Sequence, residues 1–192
     1  WLEPVVDQGV SWARKTKPRP PHPVDGRWRR CASQQGNAIL YAIRLGFADE
    51  RAEQMADDLV TWQWPDGGWN CDQRPEATHS SFHESLIPLR GLNAYAKMSG
   101  DSKIRCIVHG AAEMFLERSL YLRRTTGKVI RPRFAATHYP YFWQYTYLHG
   151  LTVMVECGAI RDPRCAPALD LLESKRTRNG GFPAERKYYS VV

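Results

Sequence analysis

Four short glycine turns recur along this chain, and each follows a segment with the pattern of a helix. Just beyond each glycine stands an apolar or aromatic residue. The copies are Asp25-Gly26-Arg27-Trp28, Asp66-Gly67-Gly68-Trp69, Thr126-Gly127-Lys128-Val129 and Asn179-Gly180-Gly181-Phe182. Successive turns lie 41, 60 and 53 residues apart. This spacing is typical of a repeat made of two helices with loops of variable length, so it predicts an all-α architecture of αα-hairpins.

The segments between the turns are of two kinds. The first kind is amphipathic: over 102–122 apolar residues recur every three or four positions, which predicts a helix with one buried face. Asp49 and Asp101 precede two such segments as candidate N-caps, and Asp162 precedes a third, with Pro163 at the first helical position. We expect these helices to form an outer layer.

The second kind is apolar around most of its surface, with few charges in the middle. These segments are 34–45, 82–98 and 139–157, and their ends are marked by Gly46, Gly100 and Gly158. A helix that is apolar nearly all round is buried on both sides. The pattern therefore predicts a layer of inner helices wrapped by the outer ones.

Composition favours one globular domain over 1–192, since 43% of the 192 residues are hydrophobic. A basic, proline-rich stretch at 14–29 is predicted to be a loop or linker. No apolar run approaches the roughly 18 residues that span a bilayer, so we expect no transmembrane segment. No signal peptide is visible at the start of the sequence.

Charge and cysteine content bear on partners and location. The net charge of +7 is scattered over loops and outer faces, whereas a nucleic-acid interface concentrates it on one face, so no nucleic-acid partner is predicted. Five cysteines at wide, irregular spacing argue against a disulfide framework. We therefore expect a reducing, cytoplasmic setting.

Longer motifs surround the glycine turns. They are Trp64-Pro65-Asp66-Gly67-Gly68-Trp69-Asn70-Cys71, His79-Ser80-Ser81-Phe82-His83-Glu84-Ser85-Leu86 and His138-Tyr139-Pro140-Tyr141-Phe142-Trp143-Gln144. With them, the chain from Gly26 onward resembles bacterial proteins with squalene cyclase and prenyltransferase repeats. The resemblance implies an α/α toroid, a double ring of about six helical hairpins around a central cavity. About half of that ring is written in this sequence, so we expect the rest of the same protein, or a second copy of the chain, to complete it.

Neither of the two catalytic motifs known from those relatives is found in this sequence. Class II triterpene cyclases protonate an alkene with an Asp-x-Asp-Asp motif, but here Asp57-Asp58 is preceded by Met55 and Ala56. The spacing of the zinc ligands in protein prenyltransferases is also missing. The resemblance therefore implies a fold more strongly than a reaction.

A candidate zinc site lies in a window of 13 residues that leads into the 82–98 helix. It contains Cys71, Asp72, His79 and His83, and a thiolate with imidazoles is a sufficient ligand set for tetrahedral zinc. We predict Cys71, His79 and His83 as the metal ligands. In the alternative interpretation Cys71 is a small buried residue, and the histidines bond to loop carbonyls.

Acid/base chemistry is a second possibility. His83 and Glu84, with His138 and His149, are candidates because histidine titrates near neutral pH, and Asp72 is a further candidate catalytic carboxylate. Glu84 has an alternative structural role, since it completes a capping box with Ser81 at the start of the helix.

Aromatic residues crowd the segment 139–147 and could line an apolar cavity or stabilise a carbocation through their π-faces. At helical spacing Tyr141 and Tyr145 share a face. Core packing and, for Trp69, a structural wedge between helices are the alternatives. The predicted ligand-binding residues are Trp69, Tyr141, Phe142, Trp143, Tyr145, His149 and Arg131.

Together these features support a toroid protein that binds an apolar small molecule, such as an isoprenoid, in a central aromatic cavity. In that case the protein is an enzyme of the terpenoid cyclase or prenyltransferase type. The alternative is a non-catalytic scaffold that binds another protein, and the missing acid motif favours it.

Overall fold

Six α-helices provide the regular structure of the computed structural model, which describes residues 23–141 and 143–185. In chain order they are α1 (Ala32–Arg44), α2 (Glu50–Trp62), α3 (Phe82–Ser99), α4 (Ser102–Leu116), α5 (Tyr147–Glu156) and α6 (Ala166–Ser174). Two short 3₁₀-helices occupy Pro132–Ala135 and Pro163–Cys165. Within the described residues β-pairing is limited to isolated bridges, so the all-α class is confirmed. No helix there is long and apolar enough to cross a membrane.

The chain forms two compact units, Trp1–Ala112 and Glu113–Val192, with the boundary inside α4. The first unit contains α1, α2, α3 and most of α4. The second contains both 3₁₀-helices, α5 and α6.

The predicted outer helices begin where their caps place them. The Asp49 side chain accepts a hydrogen bond from the Arg51 amide at the start of α2. Asp101 accepts from the amides of Lys103 and Ile104 at the start of α4. Each cap satisfies amides that have no partner within the helix, which fixes the first turn.

Two of the four repeated glycine turns share the same hydrogen-bond pattern. Trp64 N–H donates to the Gly68 carbonyl at 2.8 Å, and Gly67 N–H donates to the Trp64 carbonyl at 2.9 Å. The same pair of bonds, both 2.9 Å, closes the turn from Thr177 to Gly181. The first glycine of each turn has positive φ, where other residues are strained.

Helices α1 and α3 cross at two glycines. A Cβ on Gly36 would lie 2.7 Å from the Ile87 carbonyl oxygen, and one on Gly91 would lie 2.8 Å from the Gly36 Cα. The backbones therefore touch at a distance that only glycine permits. This crossing fixes the first turns of α1 and α3 relative to each other. The candidate site lies at these N-terminal ends of the two helices.

The prediction of a helix over 139–157 is wrong at its start, because α5 begins at Tyr147. Thr146 accepts a hydrogen bond from the His149 amide and caps the helix at that point. Pro140 also holds the preceding residue away from helical backbone angles. Tyr141 therefore lies ahead of the helix, and its predicted alignment with Tyr145 on one helical face is not formed.

The predicted outer helix 102–122 also ends early, at Leu116. Ser119 and Leu120 have positive φ, which breaks the helical path. The proline-rich stretch 14–29 is described from residue 23 onward only, and there Val24 and Arg27 exchange two backbone hydrogen bonds of 3.0 Å in a tight turn.

Candidate metal site

Three potential metal ligands meet at the start of α1 and α3. The Cys31 Sγ, the Cys71 Sγ and a carboxylate oxygen of Glu84 all lie within 4.8 Å of one another. Cys31 is exposed, whereas Cys71 and Glu84 are half-buried. Among the described residues this is the group of three such side chains whose ligand atoms lie close together.

The two cysteines meet because their chain segments pair. Arg29 and Asn70 form an isolated parallel bridge, which brings the residues that follow them side by side. The Gln73 amide then donates 3.0 Å hydrogen bonds to the carbonyls of both Arg29 and Cys71. One side chain thus joins the two segments that carry the thiols.

Arg29 anchors the loop that follows Cys71. It is 2% exposed, and its guanidinium donates to the carbonyls of Asp72 at 2.7 Å, Ala77 at 3.1 Å and Pro75 at 3.4 Å. The guanidinium also lies 5.2 Å from the ring centroid of Trp64, in a cation–π arrangement. A buried cation that satisfies three loop carbonyls fixes the path of the chain from Cys71 onward.

Glu84 reaches the site from the first turn of α3. The Ser33 hydroxyl, in the first turn of α1, donates to the Glu84 carboxylate at 3.2 Å. Ser81 is the N-cap residue as predicted, but its side chain makes no capping hydrogen bond, so the capping box does not form. Glu84 is turned to Ser33 and Cys71 instead.

The two thiols differ in acidity. A hydrogen bond from Cys71 lowers the pKa of Cys31 to about 7, although burial and Glu84 act in the opposite direction. The same hydrogen bond, followed by burial and Glu84, raises the pKa of Cys71. Cys31 is also the N-cap residue of α1, where the helix dipole favours a thiolate. Cys31 therefore supplies the thiolate of the pair.

Burial raises the pKa of Glu84, and its hydrogen bonds with Ser33 and Cys71 only partly offset that effect. Among the described residues, the groups that shift the three pKa values are the trio itself and Ser33, and no cationic side chain is among them. A half-buried carboxylate beside a thiolate is costly without a positive partner. A bound cation would supply one.

The donor set suits zinc. Zinc binds cysteine sulfur at about 2.3 Å, so two sulfurs on a tetrahedron stand about 3.8 Å apart. The ligand atoms of the trio lie within 4.8 Å of one another. Rotation of the side chains is enough to bring the two sulfurs to the spacing that zinc requires. Three protein ligands also leave one position open, as in catalytic zinc sites.

The structure places the other residues of the predicted zinc window outside this group. His79 is exposed, and its carbonyl accepts from the Asn70 side chain at 2.8 Å. His83 is half-buried. Asp72 forms a 2.6 Å ion pair with Arg74, and this hydrogen-bonded arginine lowers the pKa of Asp72 to about 2. Of the predicted metal and catalytic residues, Cys71 and Glu84 are the two that come together.

Trp69 lies in the core next to this site. Its indole Nε1 donates to the Leu59 carbonyl at 2.8 Å, and its backbone amide donates to the Ser85 hydroxyl at 2.9 Å. It is buried, so its contacts are those of a wedge between α2 and α3.

The predicted aromatic ligand-binding residues lie in the second unit and differ in exposure. Tyr145 is buried, its hydroxyl donates to the Leu120 carbonyl at 2.5 Å, and its ring stacks on Phe115. Trp143 is 67% exposed. Phe142 lies outside the described residues, and Arg131 is exposed ahead of the Pro132–Ala135 turn.

Tyr141 and the two predicted histidines form a second group in that unit. The ring of Tyr141 stacks on His149 with centroids 4.2 Å apart, and its hydroxyl shares a 2.8 Å hydrogen bond with Thr152. His138 and His149 are both buried. They belong to the second unit, whereas His83 and Glu84 belong to the first.

Sequence reasoning missed Cys31, which stands 40 residues before Cys71 with no motif around it. The signal that could have found it is its place directly before a helix start, where a thiolate is favoured. The Arg29–Asn70 pairing that brings it to Cys71 has no local signature. Comparisons of this chain with protein-family models, curated proteins and solved structures gave no match. The resemblance to squalene cyclase and prenyltransferase repeats therefore stays a prediction.

Proposed function

We propose that Cys31, Cys71 and Glu84 bind a thiophilic divalent metal, with zinc as the best fit. The observation that carries the proposal is the convergence of two sulfurs and a carboxylate oxygen within 4.8 Å. The predicted zinc function is thereby kept, but with Cys31 and Glu84 in place of His79 and His83.

The surroundings of the trio support this proposal. Gln73 and Arg29 hold the two cysteine segments through backbone carbonyls, and Ser33 orients the Glu84 carboxylate. Outer contacts of this kind are what fix metal ligands before the ion arrives. The exposed Cys31 leaves the open position within reach of solvent or substrate.

Zinc at this site would act as a Lewis acid toward a molecule in its open position. The chain itself contributes three things: the Cys31 thiolate, a Cys71 proton that is released when the metal binds, and a Glu84 carboxyl group whose raised pKa a bound cation would lower. Such a site fits an enzyme better than a purely structural zinc knot, which uses four protein ligands.

Metal content of the full chain tests the proposal. We expect stoichiometric zinc by plasma mass spectrometry, and thiolate-to-metal charge-transfer absorption after cobalt replacement. Cys31→Ser, Cys71→Ser and Glu84→Gln should each weaken binding by more than about 100-fold, beyond the usual effect of outer contacts. Cys106→Ser is the matched control, since Cys106 is another exposed thiol of the first unit.

A His79→Ala variant separates the two ligand sets. If His79→Ala keeps zinc while Cys31→Ser loses it, the trio holds the metal. If His79→Ala loses zinc and Cys31→Ser keeps it, the metal lies at the window predicted from sequence and the proposal is wrong. A parent protein that binds neither zinc nor cobalt also refutes it.

A second function for the same residues is reversible dithiol–disulfide exchange. It is favoured by the hydrogen bond between the two thiols and by the lowered pKa of Cys31. Mass spectrometry of the metal-free protein after glutathione disulfide treatment tests it: an internal Cys31–Cys71 disulfide is expected, and stable mixed disulfides alone would contradict it.

For the whole protein we propose the architecture that the resemblance implies, an α/α toroid with an apolar, isoprenoid-type ligand. The observation in its favour is the pair of exposed aromatic rings in the second unit, Tyr139 at 73% and Trp143 at 67%. A protein-binding scaffold would use the same rings. Quenching of Trp143 fluorescence by farnesyl diphosphate, absent in Trp143→Leu, supports the ligand, and no quenching favours the scaffold.

A further inference from the structure

The segment 176–185 of the second unit is exposed along its whole length. Its internal contacts are local: the Thr177–Gly181 turn, and Arg176 over the ring of Phe182 at 5.2 Å. Among the described residues, the hydrogen bonds that tie residues 177–185 back to the part of the unit before α6 are those of Glu185. Within the described residues, Glu185 therefore supplies the long-range anchor of this segment.

The groups that receive Glu185 form a preorganised site. Its Oε2 accepts from the Thr137 amide at 2.6 Å, from the Thr137 hydroxyl at 3.0 Å and from Lys175 Nζ at 2.5 Å. Thr137 and Tyr147 are buried, and their hydroxyl groups lie 3.3 Å apart. Lys175 also donates to the Ala135 carbonyl and lies 5.4 Å from the ring centroid of Tyr147.

These donors select an anion. Three of them converge on one oxygen, and one carries a full positive charge, so the arrangement suits a carboxylate. Burial is the largest influence on the pKa of Glu185 and raises it, but the hydrogen bonds from Lys175 and Thr137 outweigh it and lower the pKa. The site therefore holds the ionised form.

We propose that Thr137, Tyr147 and Lys175 form a binding pocket for a small carboxylate ligand, and that Glu185 fills this pocket from within the chain. The receiving groups belong to the body of the unit, whereas the carboxylate belongs to a segment that, in the part of the chain that the structure describes, is otherwise held by local contacts. An external carboxylate presents the same group to the same donors. Glu185 competes through its high effective concentration, so the external ligand binds well only when Glu185 leaves.

This proposal is independent of the metal site in the first unit. It is tested with acetate as the probe, in the full chain, by following the Thr137 amide signal in a nuclear magnetic resonance titration at constant ionic strength. Glu185→Ala should bind acetate at least about tenfold more tightly than the parent, which corresponds to about 1.4 kcal/mol. Adding Lys175→Met to Glu185→Ala should abolish the gain.

Glu173→Ala is the matched control, since Glu173 is an exposed acid of the same unit that pairs with Arg176. It should leave acetate binding unchanged. Trypsin cleavage after Arg176 or Arg178 gives a second readout, and Glu185→Ala and Glu185→Gln should both be cut faster than the parent because the segment is released.

Three results would overturn the proposal. One is a Glu185→Ala protein with native circular dichroism and no acetate-dependent shift at Thr137. Another is a shift that persists after Lys175→Met. The third is a response to inorganic phosphate alone, which would assign the pocket to a different anion.

Discussion

In each compact unit a charged side chain acts as a pin, that is, its hydrogen bonds hold an irregular segment in place. The two pins differ in whether the charged residue belongs to the segment or to the rest of the unit. In the first unit the pin is Arg29, a core residue that reaches out to three carbonyls of the loop after Cys71. In the second unit the pin is Glu185, which belongs to the segment and reaches into donors on the body of the unit.

The direction of the pin decides what can replace it. The Arg29 guanidinium is buried, so solutes do not reach the carbonyls that it bonds, and the Arg29 loop is a fixed support for the cysteine site. A carboxylate inserted among amide, hydroxyl and ammonium donors has many substitutes. The first arrangement suits a preorganised metal site, and the second suits an exchangeable ligand.

The largest expected effect on stability concerns the crossing of α1 and α3, which supports the cysteine site. Gly91→Ala places a Cβ 2.8 Å from the Gly36 Cα, against backbone that cannot rotate away. We expect a loss of about 3 kcal/mol in the free energy of unfolding, at the upper end of overpacking costs. Urea denaturation measures it, and zinc binding should weaken in parallel because the first turns of α1 and α3 separate.

Gly110→Ala is the control for this variant. It is also a helical glycine of the first unit, but an added Cβ meets nothing within 4 Å. There alanine should stabilise by roughly 0.5–1 kcal/mol through helix propensity. Equal effects at the two sites would show that the α1–α3 crossing is not the rigid frame described here.

The next largest effect on stability is expected when the Arg29 guanidinium is removed. Arg29→Met leaves three loop carbonyls without their donor and should cost about 2–3 kcal/mol, the scale of hydrogen bonds to a charged group. Zinc affinity should fall with it, whereas Arg74→Met, at an exposed site in the same loop, should change neither quantity. Retention of full zinc affinity by Arg29→Met would contradict the support role.

A smaller effect with the opposite sign is expected at Glu84. A carboxyl whose pKa is raised in the folded state adds stability below its unfolded pKa of about 4.3 and loses that stability as pH rises through the folded pKa. The contribution of Glu84 to the stability of the chelator-treated parent should therefore fall as the pH rises above about 4.3.

Glu84→Gln should remove this contribution, so the stability of the variant relative to the parent should increase as the pH rises above about 4.3. It should at the same time lose zinc. Thermal unfolding over this pH range measures the effect, and parallel pH curves for parent and variant would contradict it. Such a trade between stability and binding is expected of a functional site.

The parts of the fold that sequence reasoning predicted are those with local causes. Helix starts at Asp49 and Asp101, and helix ends before Gly46 and Gly100, follow from capping and positive φ within a few residues. The wrong start predicted for α5 has a local cause as well. Thr146 caps the helix and fixes its first turn at Tyr147, whereas the prediction extended the helix back through the aromatic residues before it. The toroid arrangement stays a prediction, because it depends on how distant hairpins pack.

Sequence reasoning named two of the three proposed metal ligands and missed the third. The sequence predicts Cys71 as a metal ligand in the loop before α3 and Glu84 as a catalytic carboxyl group in the first turn of that helix. Cys31 reaches them through the Arg29–Asn70 bridge and the glycine crossing, and both are contacts between residues about 40 or more positions apart. No periodicity in a single sequence encodes such a pairing. The failed capping box has the same origin, because Ser33 offers Glu84 a partner from another helix.

The smallest expected effect leaves stability unchanged and concerns the reactivity that the fixed frame gives to Cys31. With its pKa lowered to about 7 by the hydrogen bond from Cys71, about half of the Cys31 thiols are ionised at pH 7. In the metal-free protein, iodoacetamide should therefore modify Cys31 before Cys106, the other exposed cysteine, as read by peptide mass spectrometry.

Cys71→Ala removes the donor, so the pKa of Cys31 should rise and alkylation at pH 7 should slow by roughly tenfold, since the greater nucleophilicity of a more basic thiolate offsets part of the loss of thiolate. The midpoint of the rate profile should move to higher pH in the same variant. Glu185→Ala is the matched control from the other unit and should leave both quantities unchanged. An unaltered profile in Cys71→Ala would mean that the α1 N-terminus alone acidifies Cys31. The thiol pair would then be a consequence of proximity, and the contrast between a preorganised first unit and an exchangeable second unit would rest on Arg29 and Glu185 alone.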